Sequence, residues 1–497
     1  MNLNWLIIIP LLTVAGILIA PSKQARLLAL AGSIAQLILA FFLLNLFVQQ
    51  PDASLSGAML FQTDYSWYAP LNIHHHTGVD GISISMIMLT AFVVLAGVLV
   101  SWNVEKMRKE FFTLLLLLSA GAYGFFISLD LFTMFFFLEV AVVPKFLLIG
   151  IWGSGKKEYS ATKLALMLMG ASALVFVGLI GLYFNNGDTN SFSLTELAAN
   201  PASFEVQKFF FPFAFIGFGV FTALFPFHTW VPDGHSSAPT AASMFLAGIS
   251  MKLGGYGCLR VATYLMPDAA HHYAPWIILL AAIAILYGAF ATMMQTDLKY
   301  INAYSSVSHC GFVLLGIGVL TKTGIAGAVI QMVSHGLMTA LFFAMIGMVY
   351  ERTHTRDIGK MGGLLKSIPF ISTLFVIVGL CSLGLPGFSG FVAEMMVFMG
   401  AWENGNTLYR VATIAATASI VVTAVYILNA IGKVIMGPVG HESFATYKDA
   451  RWNEKTAAIL LVAGILVIGL APFLINNLIA PGTDAIMEKL ALEIRNK

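Results

Sequence analysis

Several ionisable side chains of this 497-residue sequence stand inside long apolar runs. Glu139 lies in FFFLEVAVVPKFLLIG, Lys252 in LAGISMKLGGYG and Glu394 in GFSGFVAEMMVFMGA, and His309 and His335 occupy similar surroundings. Lys145 shares the first of these runs with Glu139. A charge at the centre of a bilayer costs about 2.5–3.5 kcal/mol even on the lenient insertion scale, so such residues need a reason to be there. One reason is structural, since polar groups fasten helices to one another in membrane bundles. The other is proton transfer. Burial in a low dielectric raises the pKa of a carboxylate and lowers that of an ammonium, bringing both toward neutrality, where imidazole already titrates. At an effective dielectric of about 20, two unit charges about 6 Å apart interact by roughly 3 kcal/mol, or about two pKa units. A change of one neighbouring charge is then enough to load or release a proton. Glu139, Lys252 and Glu394 lie on different predicted helices with no local partner, which favours the second reading for them. For the two histidines both readings stand.

The elements that must hold these groups are transmembrane helices. The chain is 59% apolar and 10% charged, with a mean hydropathy of +0.86. A soluble domain carries roughly 25% charged residues. Apolar runs near the roughly 20 residues that a bilayer core needs recur from end to end. They predict helices 1 to 14 near 4–20, 28–48, 83–102, 112–129, 131–151, 162–183, 209–231, 240–262, 275–294, 302–320, 324–349, 370–400, 410–435 and 456–477. The first run resembles a signal peptide, but its basic residues, Lys23 and Arg26, follow it, so it is read as a retained helix. The formal charge of +2 offers no nucleic-acid footprint. Cys258, Cys310 and Cys381 stand singly in apolar segments, without the spacing of an iron–sulfur or disulfide framework. His74, His75 and His76 form a triplet read as a solvated loop, with metal binding as the alternative.

Lys and Arg gather in the loops after odd-numbered helices: Lys23, Arg26, Lys106, Arg108, Lys109, Lys156, Lys157, Lys299, Arg352, Arg356, Lys360, Lys366, Lys448, Arg451 and Lys455. The positive-inside rule puts those loops in the cytoplasm and both termini outside. A repeat is also visible. Phe146–Ile151 and Phe312–Ile317 match at a separation of 166 residues, which also maps Gly170, Ile180 and Gly181 onto Gly336, Ile346 and Gly347. Helices five apart have opposite senses, so the repeats are inverted, an architecture of ion transporters. Pro226 and Pro232 in helix 7, and Pro386 within Gly384-Leu385-Pro386-Gly387 in helix 12, predict two interrupted helices lining a polar path. The fold class expected is an all-α integral membrane protein of about fourteen transmembrane helices. It forms one membrane domain over residues 1–497, with two inverted five-helix repeats: helices 4–8 (112–262) and helices 9–13 (275–435).

At this point the sequence resembles a known family. Residues 225–260, FPFHTWVPDGHSSAPTAASMFLAGISMKLGGYGCLR, are similar to the signature stretch of the proton-pumping subunits of NADH–quinone oxidoreductase (respiratory complex I) and of multisubunit cation/proton antiporters. So are the segments from Glu139 to Gly153, 297–317 and 331–343. Tyr350 to Asp357, YERTHTRD, resembles the loop of the M-type chain, and a length near 500 agrees. The resemblance implies that Glu139 and Lys252 belong to a central axis of protonatable groups on helices 5 and 8. It further implies that His309 and His335 stand between two half-channels, and that Glu394 is the glutamate of helix 12 that replaces a lysine of sister subunits. Redox chemistry would occur elsewhere: no cofactor is expected on this chain, while NADH, FMN, iron–sulfur clusters and quinone belong to partner subunits. The implied partners are the other membrane-arm chains (L-, N-, K-, J-, A- and H-type), the peripheral arm through them, and lipid, with no nucleic acid. The expected location is a bacterial plasma (inner) membrane, which the chain crosses many times. The alternatives are a subunit of a multisubunit Na⁺/H⁺ antiporter and, more remotely, a secondary transporter of an organic solute.

One departure stands out. The family's helix-7 lysine sits five residues before the proline of the FPFH-like motif, where this chain has Phe221. Lys145 appears instead on helix 5, where the family generally has an apolar residue. Six helical residues put Lys145 about 120° round from Glu139 and about 9 Å along the axis, so direct pairing is not expected but the space beside helix 7 is within reach. Either Lys145 replaces the missing cation, or it extends its ammonium to the membrane interface.

Overall fold

The structure, a computed structural model, describes residues 1–50, 57–185, 190–441, 444 and 446–495. It is a helical bundle. Among the described residues, ten helices are long and apolar enough to cross a membrane. In the sequence numbering they are helix 2 (Ala25–Val48), helix 3 (Gly81–Val100), helix 4 (Arg108–Ile127), helix 5 (Leu131–Trp152), helix 6 (Lys157–Phe184), the first part of helix 7 (Phe204–Phe221), helix 9 (Pro267–Met293), helix 11 (Lys322–Thr353), helix 13 (Thr407–Val434) and helix 14 (Trp452–Leu470). The other expected segments are also helical. Helix 1 is Trp5–Ile19, helix 10 is Leu298–Gly318, helix 12 is split into Pro369–Ser382 and Ser389–Glu403, and helix 8 runs from Thr240 to Thr263 with two π-helical stretches. Helix 11 is buried along its whole apolar length and forms the centre of the bundle.

Among the described residues three helices are interrupted, each for a local reason. Pro144 has no N–H for the carbonyl of Val140, and helix 5 breaks at Ala141 into Leu131–Val140 and Val142–Trp152. The first part of helix 7 ends at Phe221, and Ala223 takes a left-handed conformation with φ of 68°. Leu224 N–H then bonds the Gly219 carbonyl at 2.7 Å, five residues back. After Pro226 the chain resumes as the helix Trp230–Ser237. Helix 12 repeats the device: Gly384 has φ of 72°, and Leu385 N–H bonds the Leu380 carbonyl at 3.2 Å. Pro232, in the first turn of the resumed helix, breaks nothing, because no hydrogen bond is asked of its nitrogen there.

The connections sort onto two faces. On one, Trp152 Nε1 donates to Lys106 O at 2.7 Å, Ser154 N to Ser237 O at 2.8 Å and Lys109 Nζ to Leu18 O at 2.9 Å. On that same face Arg356 pairs with Asp297 at 3.1 Å and Arg352 with Glu454 at 2.8 Å. All of these groups follow odd-numbered helices or precede even-numbered ones. On the other face Leu129 N bonds His76 O and Leu194 N bonds Leu129 O, both at 2.8 Å. There Asn404 Nδ2 donates to Val319 O at 3.1 Å, and Lys322 pairs with Asp484 at 2.6 Å. These are termed the odd face and the even face.

Two expectations about the connections are corrected. The all-α reading omits an antiparallel hairpin on the even face, Leu60–Tyr68 with Ile73–Val79. His74 to His76 therefore lie in a strand, not a loop; its partner carries Thr63, Tyr65 and Trp67 at alternate positions, residue types that favour a pleat, and Asn72 supplies the left-handed turn. Each histidine has its own partner: His74 Nδ1 with Asp64 at 2.8 Å, His75 Nε2 with Asn4 at 2.7 Å and His76 Nε2 with Gln62 at 3.1 Å. Burial holds His75 below the ordinary histidine range. The last helix ends at Leu470 rather than near 477, and a further amphipathic helix, Pro472–Arg495, runs against the even face.

Candidate functional site

Helix 8 presents Lys252 from an unusual backbone. Its α-helical turn Met251–Gly257 is flanked by π-helical stretches Leu246–Ser250 and Cys258–Thr263, a form concentrated at functional sites. The wide turn lets the Ala247 carbonyl accept from Lys252 Nζ at 2.5 Å. The same ammonium meets His335 Nδ1 of helix 11 at 2.8 Å. Lys252 and His335 are each 1% exposed.

From His335 the row continues across the bundle. Its ring centroid lies 5.3 Å from that of His309 on helix 10. His309 Nδ1 faces Glu394 Oε1 at 3.4 Å, and its Nε2 faces the Ser382 hydroxyl at 3.1 Å. The break in helix 12 explains this arrangement: Ser382 closes the first half of the helix and Glu394 rides on the second. A Cβ at Gly384 would come within 2.7 Å of Glu394 Oε2. Lys252, His335, His309 and Glu394 thus form one buried line of four protonatable groups on four helices.

Glu139 and Lys145 lie apart from that line, on the two pieces of helix 5. Lys145 is 1% exposed, and its ammonium stands 5.9 Å from the centre of the Phe221 ring. It has no hydrogen-bond partner in the protein, nor has the buried Oε1 of Glu139, whose charge acts on Lys145. The ammonium is therefore not extended to the membrane interface. It occupies the space beside helix 7, at the residue where the sequence lacks a lysine.

Other buried ionic groups went unread in the sequence. Arg260, at the end of helix 8, pairs with Asp80, the residue that caps helix 3. The signal was present, since Arg260 interrupts the apolar run GCLRVATYL. Lys299, read as a loop cation, is a correction: it lies in the first turn of helix 10, 5% exposed, and donates to Ala238 O at 2.6 Å. Asp297 caps that helix by accepting from Lys299 N at 2.8 Å, which draws the lysine into the bundle. Among the described residues, no group of three His, Cys, Asp or Glu side chains is placed to hold a metal ion. The three cysteines are buried and free.

Residues 128–421 match the pattern of the family described as NADH:quinone oxidoreductase/Mrp antiporter, TM. The chain belongs to this family. The match spans all three interrupted helices and every member of the buried line. Among relatives of this antiporter-like family, NAD(P)H-quinone oxidoreductase chain 4 2 of Microcystis aeruginosa is 34% identical, over 98% of this chain and 93% of its own length. A chain of respiratory complex I from Thermus thermophilus, solved with bound NADH, superposes with a TM-score of 0.89. It has 26% identity, covering 98% of this chain and 99% of that one. The Mrp complex from Dietzia sp. contains a chain of the same fold, with a TM-score of 0.84, 20% identity and coverage of 98% of both chains.

Proposed function

We propose that this chain is the M-type, proton-translocating antiporter-like subunit of an NAD(P)H–quinone oxidoreductase of the complex I kind. The observation that carries the reading is the buried line Lys252–His335–His309–Glu394, seated in a chain whose relatives over nearly its full length are chain 4 subunits of that oxidoreductase. The line is the site, with Glu139 and Lys145 feeding it from helix 5. Each step moves a proton between neighbouring nitrogen or carboxylate atoms. Each is driven by the change in charge next door, which in a buried setting is worth a few kcal/mol. Electron transfer belongs to partner subunits, which would carry NADH, FMN, iron–sulfur clusters and quinone, and the free, scattered cysteines fit that division.

In this reading the chain crosses the membrane fourteen times, with both termini on the outer side of a bacterial plasma membrane. The separation of its connections onto two faces supports that count, and the basic odd face would lie in the cytoplasm. Helices 4–8 (112–262) and 9–13 (275–435) are then inverted repeats. The shared geometry of the breaks after Ala223 and Gly384 supports their equivalence. The partners are the remaining membrane-arm subunits.

A second reading, a subunit of a multisubunit Na⁺/H⁺ antiporter, is favoured by the likeness to the Mrp fold. Mild-detergent purification separates the two. Recovery of flavin and iron–sulfur proteins with this chain is expected, and recovery of hydrophobic antiporter subunits alone would overturn the assignment. Proton transfer is tested by Glu139→Gln in assembled complex. The change keeps shape and removes one titratable proton, and NADH-driven acidification of inside-out vesicles should be lost.

A further inference from the structure

Helix 10 carries a polar stripe of which only the last member, His309, has a role so far. Lys299, Asn302, Ser306 and His309 follow each other at spacings of three and four residues, so they share one face of the helix. All four are buried, from Lys299 at the odd face to His309 in the buried line. The stripe is underbonded. Neither amide atom of Asn302 has a hydrogen-bond partner in the protein, although the residue is 0% exposed. Beside the stripe, His235 of the resumed part of helix 7 is also 0% exposed and has neither ring nitrogen bonded. Its ring stacks on Phe343 at 5.2 Å and stands in the field of both Lys252 and Lys299. The Ala238 carbonyl that receives Lys299 lies three residues beyond His235.

An unsatisfied buried polar atom costs roughly 1–3 kcal/mol. Four such atoms on two side chains, on one line between a lysine at the odd face and a protonatable centre, are not explained by packing. Polar groups at membrane depth are tolerated where they line a path for water. The cation at the mouth is held among charges. Asp297 pairs with Arg356 at 3.1 Å, and on the adjoining turn Tyr300 Oη donates to Asp233 at 3.3 Å, itself paired with Lys163 at 2.7 Å. We propose that Lys299 takes up protons from the odd face and that Asn302 and Ser306, with His235 alongside, carry them as a hydrated path to His309 and Lys252. In this step the Lys299 ammonium gives a proton to path water or imidazole and is reloaded from solvent, and only N–H and O–H bonds form and break. The proposal rests on the proton-pumping reading above and adds its point of intake.

The test uses the whole complex in inside-out membrane vesicles, with NADH oxidation and acidification of the lumen recorded together. Lys299→Met and Asn302→Leu keep volume and remove, respectively, the exchangeable proton and the polar lining. Lys299→Met should reduce proton uptake about a hundred-fold or more, the range expected for loss of a positioned acid or base, and Asn302→Leu should reduce it too. Lys299→Arg decides between transport and fastening. It keeps a cation able to donate to Ala238 O, but arginine does not give up its proton in a protein. An arginine variant as inactive as the methionine one supports intake, and one that pumps like the wild type overturns it. If Lys299→Met fails to assemble, Asn302→Leu alone decides, and its near-normal pumping would sink the path. Glu139→Gln runs in parallel. If it abolishes pumping while the helix-10 variants pump normally, only the intake is wrong. If Glu139→Gln itself pumps normally, the underlying reading is wrong.

Discussion

At the scale of single residues, the proposed relay along the buried line requires that each neighbour can respond to the last. Lys252 gives its ammonium two acceptors, Ala247 O at 2.5 Å and His335 Nδ1 at 2.8 Å, so a proton lost to imidazole leaves an amine still held by the backbone. Lys252→Met, which keeps an unbranched apolar chain, should assemble and abolish pumping. Acidification at the wild-type rate would remove Lys252 from the path. At the far end, Glu394→Ala should impair pumping, while Glu394→Lys, which keeps a titratable group opposite His309, should retain part of it. Equal inactivity of the two in assembled complex would refute the interchange. Lys145 bears on the sequence's oddest feature. Its ammonium over the Phe221 ring makes a cation–π contact and no hydrogen bond, an arrangement that gives packing little reason to keep it. Lys145→Met should therefore leave assembly intact or improve it while proton uptake is lost, and adding Phe221→Lys should restore uptake. Pumping unchanged in Lys145→Met would reduce this lysine to a bystander.

At the scale of elements, the proposed proton path is seated on helices that stop. The two breaks use one geometry, a left-handed residue followed by a hydrogen bond five residues back, but with different residues, Ala223 and Gly384. A side chain in the left-handed region costs roughly 1–2 kcal/mol. At Gly384 a methyl would also crowd Glu394 Oε2 at 2.7 Å. Gly384→Ala should thus lower both the amount of assembled complex and its proton uptake, whereas Ala223→Gly should do neither, as native gels and acidification assays would show. The breaks in helices 7 and 12 were legible because proline declares them, Pro226 and Pro386 marking the gaps, whereas the break at Ala141 in helix 5 was not foreseen. The members of the four-residue line were conspicuous as ionisable groups within apolar runs, but that Lys252, His335, His309 and Glu394 stand in one row, with Glu139 apart from it, was not legible. Lys299 was not, because a lysine at a helix start looks solvated until Asp297 caps the turn and draws it inward. The π-helical stretches around Lys252 left no trace in the sequence, which marks no such widening; Leu246–Ser250 packs against helices 3 and 11, and Cys258–Thr263 against helices 7, 9 and 10. The hairpin was hidden by its histidines, which resembled a polar loop.

At the scale of the whole molecule, the bundle must keep its pumping helices in register with whatever drives them, and the even face contains a buried fastening that reaches helix 8. Arg260 ends the helix that carries Lys252, and its guanidinium pairs with Asp80. Asp80 caps helix 3 by accepting from Ser83 N at 2.9 Å, and Tyr256 joins the cluster through the Ser83 hydroxyl at 2.8 Å. The terminal helix Pro472–Arg495 closes over it, so tightly that a Cβ at Gly482 would lie 2.6 Å from Asp80 Oδ2. One ion pair therefore ties helices 3 and 8 together beneath the terminal helix. Desolvating both charges is costly, so the pair adds little against an apolar replacement, but stranding one charge costs about 3–5 kcal/mol. Arg260→Met should therefore lower the melting temperature of the complex and its abundance in membranes. Asp80→Asn combined with Arg260→Met, which removes both charges and keeps an acceptor for the helix-3 cap, should recover much of the loss. A double variant no more stable than the single one would mean that Arg260 acts through its packing rather than its charge, and the fastening would then be steric instead of ionic.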